Sequence, residues 1–492
     1  MFEAVELGHR IDKASYQAAL PALREALLDA QYELHEKPDF AVLILINGID
    51  GAGKGETVNL LHEWMDPRLI DSHAFGPPSD EEAERPPMWR FWRALPPKGR
   101  IGILFGSWYT QPLLDRVAGR CRESELRATI DDIVRFETML AEEGVLLLKF
   151  WFHLGKRQQK ARLKALERDP RTRWRVGEQD WALFRHYDRH REVAEDVLLR
   201  TSTAEAPWVA IDGEDPYYRS LTAGRLLLES LRRRLDAGRA PQVFAAPPPL
   251  LPPLDQVRVL DRLELERPLG KSDYTELLET WQGRLNLLSR DPRFARHGVV
   301  MVFEGNDAAG KGGAIRRVVG ALDARQYQVI PVAAPADEER AQPYLWRFWR
   351  HLSRRGRFVI FDRSWYGRVL VERVEGLCPE PAWCRAYGEI NDFERQLTRH
   401  GLVLCKFWLA IDRDEQLRRF QAREQTRFKR FKITAEDWRN REKWDDYSAA
   451  VHDMVERTST SAAPWTLVEA NNKYFARIKV LQTLCEAIET RL

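Results

Sequence analysis

The chain has 492 residues, of which 44% are hydrophobic and 31% are charged, so it can form two or three folded domains with separate cores. The formal net charge of +3 is close to balance, which excludes nucleic-acid binding through overall basic character. The first twenty residues lack the apolar run of a signal peptide, and no apolar stretch of about 18 residues follows, so we expect no membrane partner.

The first predicted element is a helix at 13–36, followed by the apolar run AVLILIN at 41–47, a buried strand that leads into GIDGAGKGE. The same order returns 257 residues later, with a helix at 272–290, the strand GVVMVF at 298–303 and GNDAAGKGG from Gly305. The motifs WRFWR, SWY, KFW and PW recur at the same offset of 257. The chain therefore contains two copies of one unit.

Between the copies, the proline-rich segment PQVFAAPPPLLPP predicts an extended linker at 241–254, with domains at 1–240 and 255–492. Two more apolar runs of the second copy, at 357–361 and 402–411, predict further strands. Strands that alternate with helices predict an α/β fold, in which each copy is a parallel sheet flanked by helices.

The segment GNDAAGKGG has the spacing of a phosphate-binding loop, and it lies between a predicted strand and a predicted helix. Gly305, Gly310 and Gly312 would let backbone N–H groups face a phosphate, and Lys311 would add a positive charge. A plain glycine turn with a solvated lysine is the alternative. Because the pattern occurs twice in the same context, the phosphate site is favoured.

The residue after Lys311 is glycine, where such loops usually carry a Ser or Thr that binds Mg²⁺. Two carboxylates can replace that hydroxyl: Asp307 inside the loop, and Asp362 at the end of the strand 357–361. Strand ends converge at one edge of a parallel sheet, so the two could share one ion. Arg363 follows and could hold two phosphate oxygens. The alternatives are a loop hydrogen-bonding role for Asp307 and a surface ion pair for Arg363.

A basic arm at 418–443 holds ten Lys or Arg residues against four acids, and the matching segment 156–175 holds nine against two. A basic arm after this strand of a phosphate-loop kinase can close over phosphates as a lid, and we assign Lys429, Arg430 and Lys432 to phosphate binding. Ten cations exceed what one nucleoside triphosphate needs, which favours a long polyanion. A solvated helix face is the alternative.

Five ordered motifs, GNDAAGKGG, WRFW, FDRSWYGRVLVERVEG, KFWL and KRFKITAEDWRNREKWDDY, resemble those of the polyphosphate kinase 2 family over nearly the whole chain. The resemblance implies tandem thymidylate-kinase-like P-loop domains, Mg²⁺ dependence and a lid over a polyphosphate channel. It implies Asp307, Lys311, Asp362 and Arg363 as catalytic residues, with Arg441 in the lid. The doubled arrangement resembles the two-domain members, which phosphorylate AMP to ADP with inorganic polyphosphate.

Residues 257 positions apart correspond in the two copies. At the positions of Asp307 and Lys311, the first copy keeps Asp50 and Lys54. It carries Phe105, Gly106 and Phe184 where the second copy has Asp362, Arg363 and Arg441. We therefore expect the first copy to be catalytically inactive, retained for packing and with polyphosphate binding left open. We expect a pseudo-dimeric monomer or a homo-oligomer.

Two other functions remain open from the sequence. One is a polyphosphate- or ATP-dependent kinase of the same fold that acts on other nucleotides such as ADP or GDP. The other is a polyphosphate-binding scaffold without activity. The second copy keeps the complete set of candidate catalytic residues, which argues against a scaffold. The five cysteines form no CxxC pair, which favours a reducing cytosol over disulfides or a zinc site.

Overall fold

The structure, a computed structural model, describes residues 2–237 and 258–492, without the side chains of Gln179, Phe428, Lys429 and Lys432. The chain divides into two compact units that follow the two halves of the sequence, except that Ser79–Trp89 belongs to the second unit and Ala336–Trp346 to the first. The linker predicted at 241–254 lies outside the described residues, so the predicted domain bounds stay a prediction. No helix in the described ranges is long and apolar enough to cross a membrane.

Ten strands form two sheets, one in each half of the chain. The strands are β1 Val42–Gly48, β2 Ile70–Ala74, β3 Ile101–Phe105, β4 Leu146–His153, β5 Trp208–Asp212, β6 Gly298–Gly305, β7 Tyr327–Pro331, β8 Phe358–Asp362, β9 Leu402–Ala410 and β10 Trp465–Glu469. All pairings are parallel, in the order β2-β3-β1-β4-β5 and, in the second half, β7-β8-β6-β9-β10. The two sheets therefore have the same topology.

Helices alternate with these strands in both halves. In the first half they are α1 Lys13–Glu36, α2 Lys54–Trp64, α3 Asp80–Ala83, α4 Trp89–Arg93, α5 Thr110–Val117, α6 Glu123–Glu142, α7 Lys156–Arg168, α8 Glu178–Arg185, α9 Tyr187–Thr201 and α10 Pro216–Asp236. In the second half they are α11 Lys271–Arg290, α12 Lys311–Val319, α13 Asp337–Arg340, α14 Trp346–Trp349, α15 Val371–Val374, α16 Glu380–Arg399, α17 Arg413–Gln425, α18 Ala435–Glu442, α19 Trp444–Thr458 and α20 Lys473–Glu489.

The predicted fold class, two tandem parallel α/β sheets flanked by helices, is confirmed. The four predicted strands begin and end within two residues of β1, β6, β8 and β9, and the predicted helices match α1 and α11. The strands could be predicted because they are apolar runs buried on both faces and bounded by turn residues.

The central strand β6 positions the loop that follows it. It lies between β8 and β9, and the register pairs Phe303 of β6 with Asp362 of β8 and with Phe407 of β9. The chain leaves β6 toward β7 on one side, whereas β9 is on the other side, so the strand order reverses at this point. Such a reversal forms a crevice at the carboxyl ends of the strands, where ligands of α/β proteins bind.

A buried ion pair connects three elements of the second half. The Lys406 side chain on β9 has no exposed surface, and its Nζ donates to Glu394 Oε2 on α16 at 2.7 Å and to the Thr458 carbonyl oxygen at 2.7 Å. Glu394 Oε1 accepts hydrogen bonds from Trp365 Nε1 and from the Tyr366 hydroxyl, at 3.0 and 2.6 Å. The turn after Asp362 is thereby attached to the sheet.

The first half contains the same network. Lys149 Nζ donates to Glu137 Oε2 at 2.7 Å, and Glu137 Oε1 accepts from Trp108 Nε1 and the Tyr109 hydroxyl at 2.9 and 2.7 Å. Burial raises the pKa of Glu137 and lowers that of Lys149, while each charge favours the ionised form of the other. The repeated SWY and KFW motifs of the sequence are therefore the two ends of one structural network.

Lys406→Met should lower the free energy of unfolding by about 3–5 kcal/mol, because it leaves the Glu394 carboxylate buried without its counter-ion. Lys37→Met is the control, since Lys37 pairs with Glu33 on the surface and its side chain is 69% exposed. Urea denaturation followed by tryptophan fluorescence measures both variants. Equal stability of the two variants would contradict the structural role of the buried pair.

Candidate active site

The glycine-rich loop at 305–310, the predicted phosphate-binding loop, depends on two glycines for its shape. Gly305 has a φ of 148°, and a Cβ there would lie 2.4 Å from the Leu409 carbonyl oxygen. Gly310, with a φ of 112°, is left-handed and precedes the first residue of α12. Lys311 Nζ donates to the Gly305 carbonyl oxygen at 2.7 Å, so the ammonium group lies over the loop. Loop and helix N-terminus together present backbone N–H groups of the kind that bind phosphate.

Asp307 is held by two side chains from outside the loop. Its Oδ2 accepts a hydrogen bond from Asn440 Nδ2 at 2.8 Å, and its Oδ1 lies 3.4 Å from Arg363 Nη2. Asn440 belongs to α18, within the basic arm, whereas Arg363 follows β8. The loop carboxylate therefore connects the arm with the end of the neighbouring strand.

Arg363 has a φ of 64°, a left-handed conformation that costs a residue with a Cβ about 1–2 kcal/mol. Its backbone N–H donates to the Phe303 carbonyl oxygen at 3.1 Å, which fixes the turn. Burial alone would lower the pKa of Arg363, but the carboxylates around it, Asp307 first among them, raise the pKa above its ordinary value. The guanidinium is thus held in its charged form at a strained position.

Asp362 lines the same cavity as Asp307 and Lys311. Among the described residues its carboxylate forms no hydrogen bond or ion pair, so both oxygens are available to a ligand. No group of three or more His, Cys, Asp or Glu residues forms a complete metal site within the described ranges. Two carboxylates beside a phosphate site nevertheless fit Mg²⁺, which is bound by one or two carboxylates together with substrate phosphates and water.

A cavity of 470 Å³ adjoins the loop and is strongly basic. It is lined by three aspartates and by eight cationic residues, namely Lys311, Arg316, Arg317, Arg363, Arg419, Arg423, Lys473 and Arg477. Within the described part of the chain, Arg316, Arg317 and Arg477 form no ion pair with a carboxylate. Such an excess of cations favours an anionic ligand of high charge.

A smaller cavity of 90 Å³ adjoins the same residues. It shares Asp307, Lys311 and Arg363 with the larger cavity, and Trp444 and Tyr447 of α19 also line it. Glu304 forms part of its wall, is buried, and accepts a hydrogen bond from Ser364 Oγ at 2.8 Å. Burial raises the pKa of Glu304, against the opposing effect of Lys311. Two cavities therefore meet at one carboxylate and two cations.

The basic arm reaches this site in part. Arg419 of α17 is buried, and its Nη1 donates to the carbonyl oxygens of Ala308 and Ala309, both at 2.9 Å, which ties the arm to the loop. Arg441 instead donates to the Arg413 carbonyl oxygen at 2.6 Å and lies outside the lining of both cavities.

The sequence predicts that three further arm residues bind phosphate. Arg430 donates to the Glu424 carbonyl oxygen at 2.8 Å and does not line the larger cavity. The side chains of Lys429 and Lys432 lie outside the described residues, so their roles stay predictions. Gly310, Lys311, Gly312 and Arg363 do line that cavity.

Several residues of the site escaped the sequence reasoning. Arg316 and Arg317 lie on α12 just after the loop, and Lys473 and Arg477 lie on α20, far away in sequence. In α18 the sequence favours Arg441, whereas the structure places the adjacent Asn440 at the site. A comparison of the two copies could have indicated these residues, because they differ between the copies. The positions 257 residues earlier hold Asn59, Leu60, Pro216, Ser220 and Leu183, none of which is charged.

In the first half the corresponding loop has different partners. Lys54 Nζ donates to the Gly48 carbonyl oxygen at 2.6 Å and to Asp50 Oδ1 at 3.0 Å, and this ammonium lowers the pKa of Asp50. Phe105 ends β3 where Asp362 ends β8, and Gly106, with a φ of 77°, takes the place of Arg363. Phe184 of α8 takes the place of Arg441. The first half thus lacks one carboxylate and two guanidinium groups at these positions.

The family model of polyphosphate kinase 2 matches residues 10–237 and 268–492 of the chain. The chain is 60% identical, over 489 residues and 99% of both sequences, to the polyphosphate:AMP phosphotransferase of Pseudomonas aeruginosa. It is 39% identical to the protein of that name from Acinetobacter johnsonii, over 94% of this chain and 95% of the relative. A crystal structure of a P. aeruginosa protein described as polyphosphate kinase 2 superposes with a TM-score of 0.89 at 57% identity, covering 100% of this chain and 99% of the other.

The strain at Arg363 can be measured with a pair of variants. Arg363→Gly and Arg363→Ala both remove the guanidinium, but only glycine adopts a φ of 64° without cost. We expect the glycine variant to be more stable than the alanine variant by about 1 kcal/mol in urea denaturation, net of the flexibility that glycine adds to the unfolded chain. An alanine variant that is as stable as the glycine variant would show that the turn is not strained.

Proposed function

This chain belongs to the polyphosphate kinase 2 family, and we propose that its second half transfers a terminal phosphoryl group of inorganic polyphosphate to AMP, giving ADP. The larger cavity carries this proposal, because eight cations and three aspartates lie beside one phosphate-binding loop. A polyanion with many phosphates matches this surplus of cations better than the short triphosphate of ATP does.

The reaction needs charge neutralisation and alignment more than proton transfer. The AMP phosphate is ionised near neutral pH and attacks the terminal phosphorus in line, so a strong general base is not required. Lys311 and Arg363 border both cavities and would stabilise the charge on the transferred group. Asn440 would orient Asp307, since its amide donates to Oδ2 of that carboxylate.

Mg²⁺ is the proposed metal, with Asp307 and Asp362 as its protein ligands. The support is the donor set, two cavity-lining carboxylates of which Asp362 has no other partner among the described residues. When bound there, the ion would neutralise phosphate oxygens and hold the donor and acceptor groups together.

The acceptor phosphate is proposed to approach from the smaller cavity. That cavity shares Asp307, Lys311 and Arg363 with the larger one, so a group in each cavity could contact the same two cations. Trp444 and Tyr447 offer aromatic surface for a base. The setting we propose is a reducing cytosol, because all five cysteines are free.

A direct assay tests the function. Full-length protein is incubated with polyphosphate, Mg²⁺ and one of AMP, ADP, GMP or GDP, and the products are separated by chromatography. ADP formed from AMP supports the proposal. Preferred phosphorylation of ADP or GDP would favour the alternative kinase, and a parallel reaction with ATP as donor separates the two donors. Absence of any turnover would favour a binding scaffold.

Lys311→Ala should reduce turnover of AMP by about 10²–10³-fold, because it removes a cation that both cavities share. Lys54→Ala is the matched variant in the first half, where Phe105 and Gly106 replace the other groups, and we expect activity within about twofold of the wild type. Initial rates at saturating substrates compare the two. Similar losses in both variants would show that the two halves both contribute to the reaction.

Asp362→Asn should abolish measurable turnover while the protein stays folded, because the amide conserves volume but removes the proposed anionic ligand. Activity is measured across a Mg²⁺ titration, and folding by circular dichroism. A variant that recovers wild-type turnover at high Mg²⁺ would retain a working site without this carboxylate, and the metal role of Asp362 would then be wrong.

A further inference from the structure

One carboxylate of the first half lies where the second half has none. Glu56 is in the first turn of α2, two residues after Lys54, and the matching residue after Lys311 is Gly313. The N-terminus of the helix behind a phosphate-binding loop is the place where a phosphate group would be held. In the second half this position faces a cation, since a Cβ on Gly313 would lie 3.4 Å from Arg477 Nη2.

Three guanidinium groups converge on Glu56. Its Oε2 accepts a hydrogen bond from Arg219 Nη2 at 2.7 Å, and its Oε1 lies 3.3 Å from Arg162 Nη2 and 3.9 Å from Arg175 Nη1. The Arg219 side chain is only 1% exposed; burial lowers its pKa, and the Glu56 carboxylate opposes that shift. A carboxylate inside a cluster of arginines makes the contacts that a phosphate group would make.

The space beside the first loop is also filled. A Cβ on Gly53 would lie 2.0 Å from Arg219 Nη1, so this guanidinium rests directly against the loop backbone. The equivalent Gly310 is open, because the nearest atom to a Cβ there is Arg419 Nη1 at 4.0 Å. The remaining cation of the first loop, Lys54, is paired with Asp50 at 3.0 Å.

Most of the cations that line the basic cavity have no counterpart in the first half. Two of the eight cations keep a cationic counterpart, Lys54 and Arg162, and both of these are paired with carboxylates. The other six are replaced by uncharged residues, namely Asn59, Leu60, Gly106, Leu166, Pro216 and Ser220. Arg219 is the one cation added at a lining position, where the second half has Ala476. The first half therefore combines an added anion with a net loss of cations.

We propose that the Glu56 carboxylate is an internal counter-ion that takes the place of a phosphate group, so that the first half binds no polyphosphate. This inference rests on the proposed function, because it assigns the polyphosphate chain to the second half alone. It also explains why Arg162, Arg175 and Arg219 cluster in a half without Asp362 and Arg363: their ligand is part of the chain. Arg162 and Arg175 match the cations Arg419 and Lys432, whereas Arg219 takes the place of Ala476.

Tripolyphosphate binding to the full-length protein, measured by isothermal titration calorimetry at low salt, tests the proposal. We expect one equivalent per wild-type chain and a second, weaker equivalent for Glu56→Gln, which frees the three arginines. Glu33→Gln is the control, since Glu33 forms a partly exposed ion pair with Arg232 in the same half, at 2.9 Å. Two equivalents on the wild type, or only one on a folded Glu56→Gln variant, would overturn the proposal.

The reciprocal substitution tests it without disturbing the first half. Gly313→Glu places the carboxylate beside Arg477 in the basic cavity, and Gly313→Gln adds the same bulk without charge. We expect the glutamate variant to bind tripolyphosphate at least about tenfold more weakly than the glutamine variant. Equal affinities would contradict the role of the carboxylate as a phosphate substitute.

The same preparations separate this inference from the proposed function. If the wild type converts AMP to ADP with polyphosphate but binds two equivalents, the inference is wrong and the function stands. If polyphosphate supports no transfer while one equivalent binds, the assignment of the function is wrong and the internal counter-ion stands. Glu56→Gln should turn over AMP within about twofold of the wild type, since Glu56 lies outside the proposed catalytic residues.

Discussion

The buried pair of Lys406 and Glu394 holds the second half in the shape that its site requires. Two charges without exposed surface are stable only when all their hydrogen bonds are made, and Trp365, Tyr366 and the Thr458 carbonyl oxygen complete the set. Because only Ser364 separates Asp362 and Arg363 from Trp365 and Tyr366, the network fixes where β8 ends and where the next turn points. The position of two cavity-lining residues, Asp362 and Arg363, therefore depends on a pair that lines neither cavity.

The first half keeps the buried ion pair of the fold but lacks residues that we propose for the reaction. It keeps Lys149 and Glu137 at the same distance of 2.7 Å as the pair in the second half, although Asp362 and Arg363 have no counterpart there. At the strained position it has Gly106, which adopts positive φ without cost. Strain is thus retained only in the half where a guanidinium borders both cavities, as expected when a function compensates for local instability.

Much of the fold could be predicted from the sequence, because the apolar runs and glycine loops are local signals and the offset of 257 residues repeats them. The same signals predict the glycine-rich loop, Lys311 and the position of Asp362 at the end of β8. The wall of the basic cavity did not, since Lys473 and Arg477 reach the loop only through the packing of α20. Within α18 the sequence could not show whether Asn440 or Arg441 faces the loop, because the direction of each side chain depends on how that helix docks against the loop.

The two halves show one loop geometry with two kinds of counter-ion. A helix N-terminus, a lysine and nearby arginines create a positive potential that some anion must balance. In the second half Arg316, Arg317 and Arg477 have no carboxylate partner among the described residues, so that balance is left to a ligand. In the first half Glu56 supplies it from within the chain, at 2.7 Å from Arg219. The added carboxylate and the loss of six cavity cations together leave the first loop as a self-contained structural element, while the surrounding sheet and its buried ion pair stay the same.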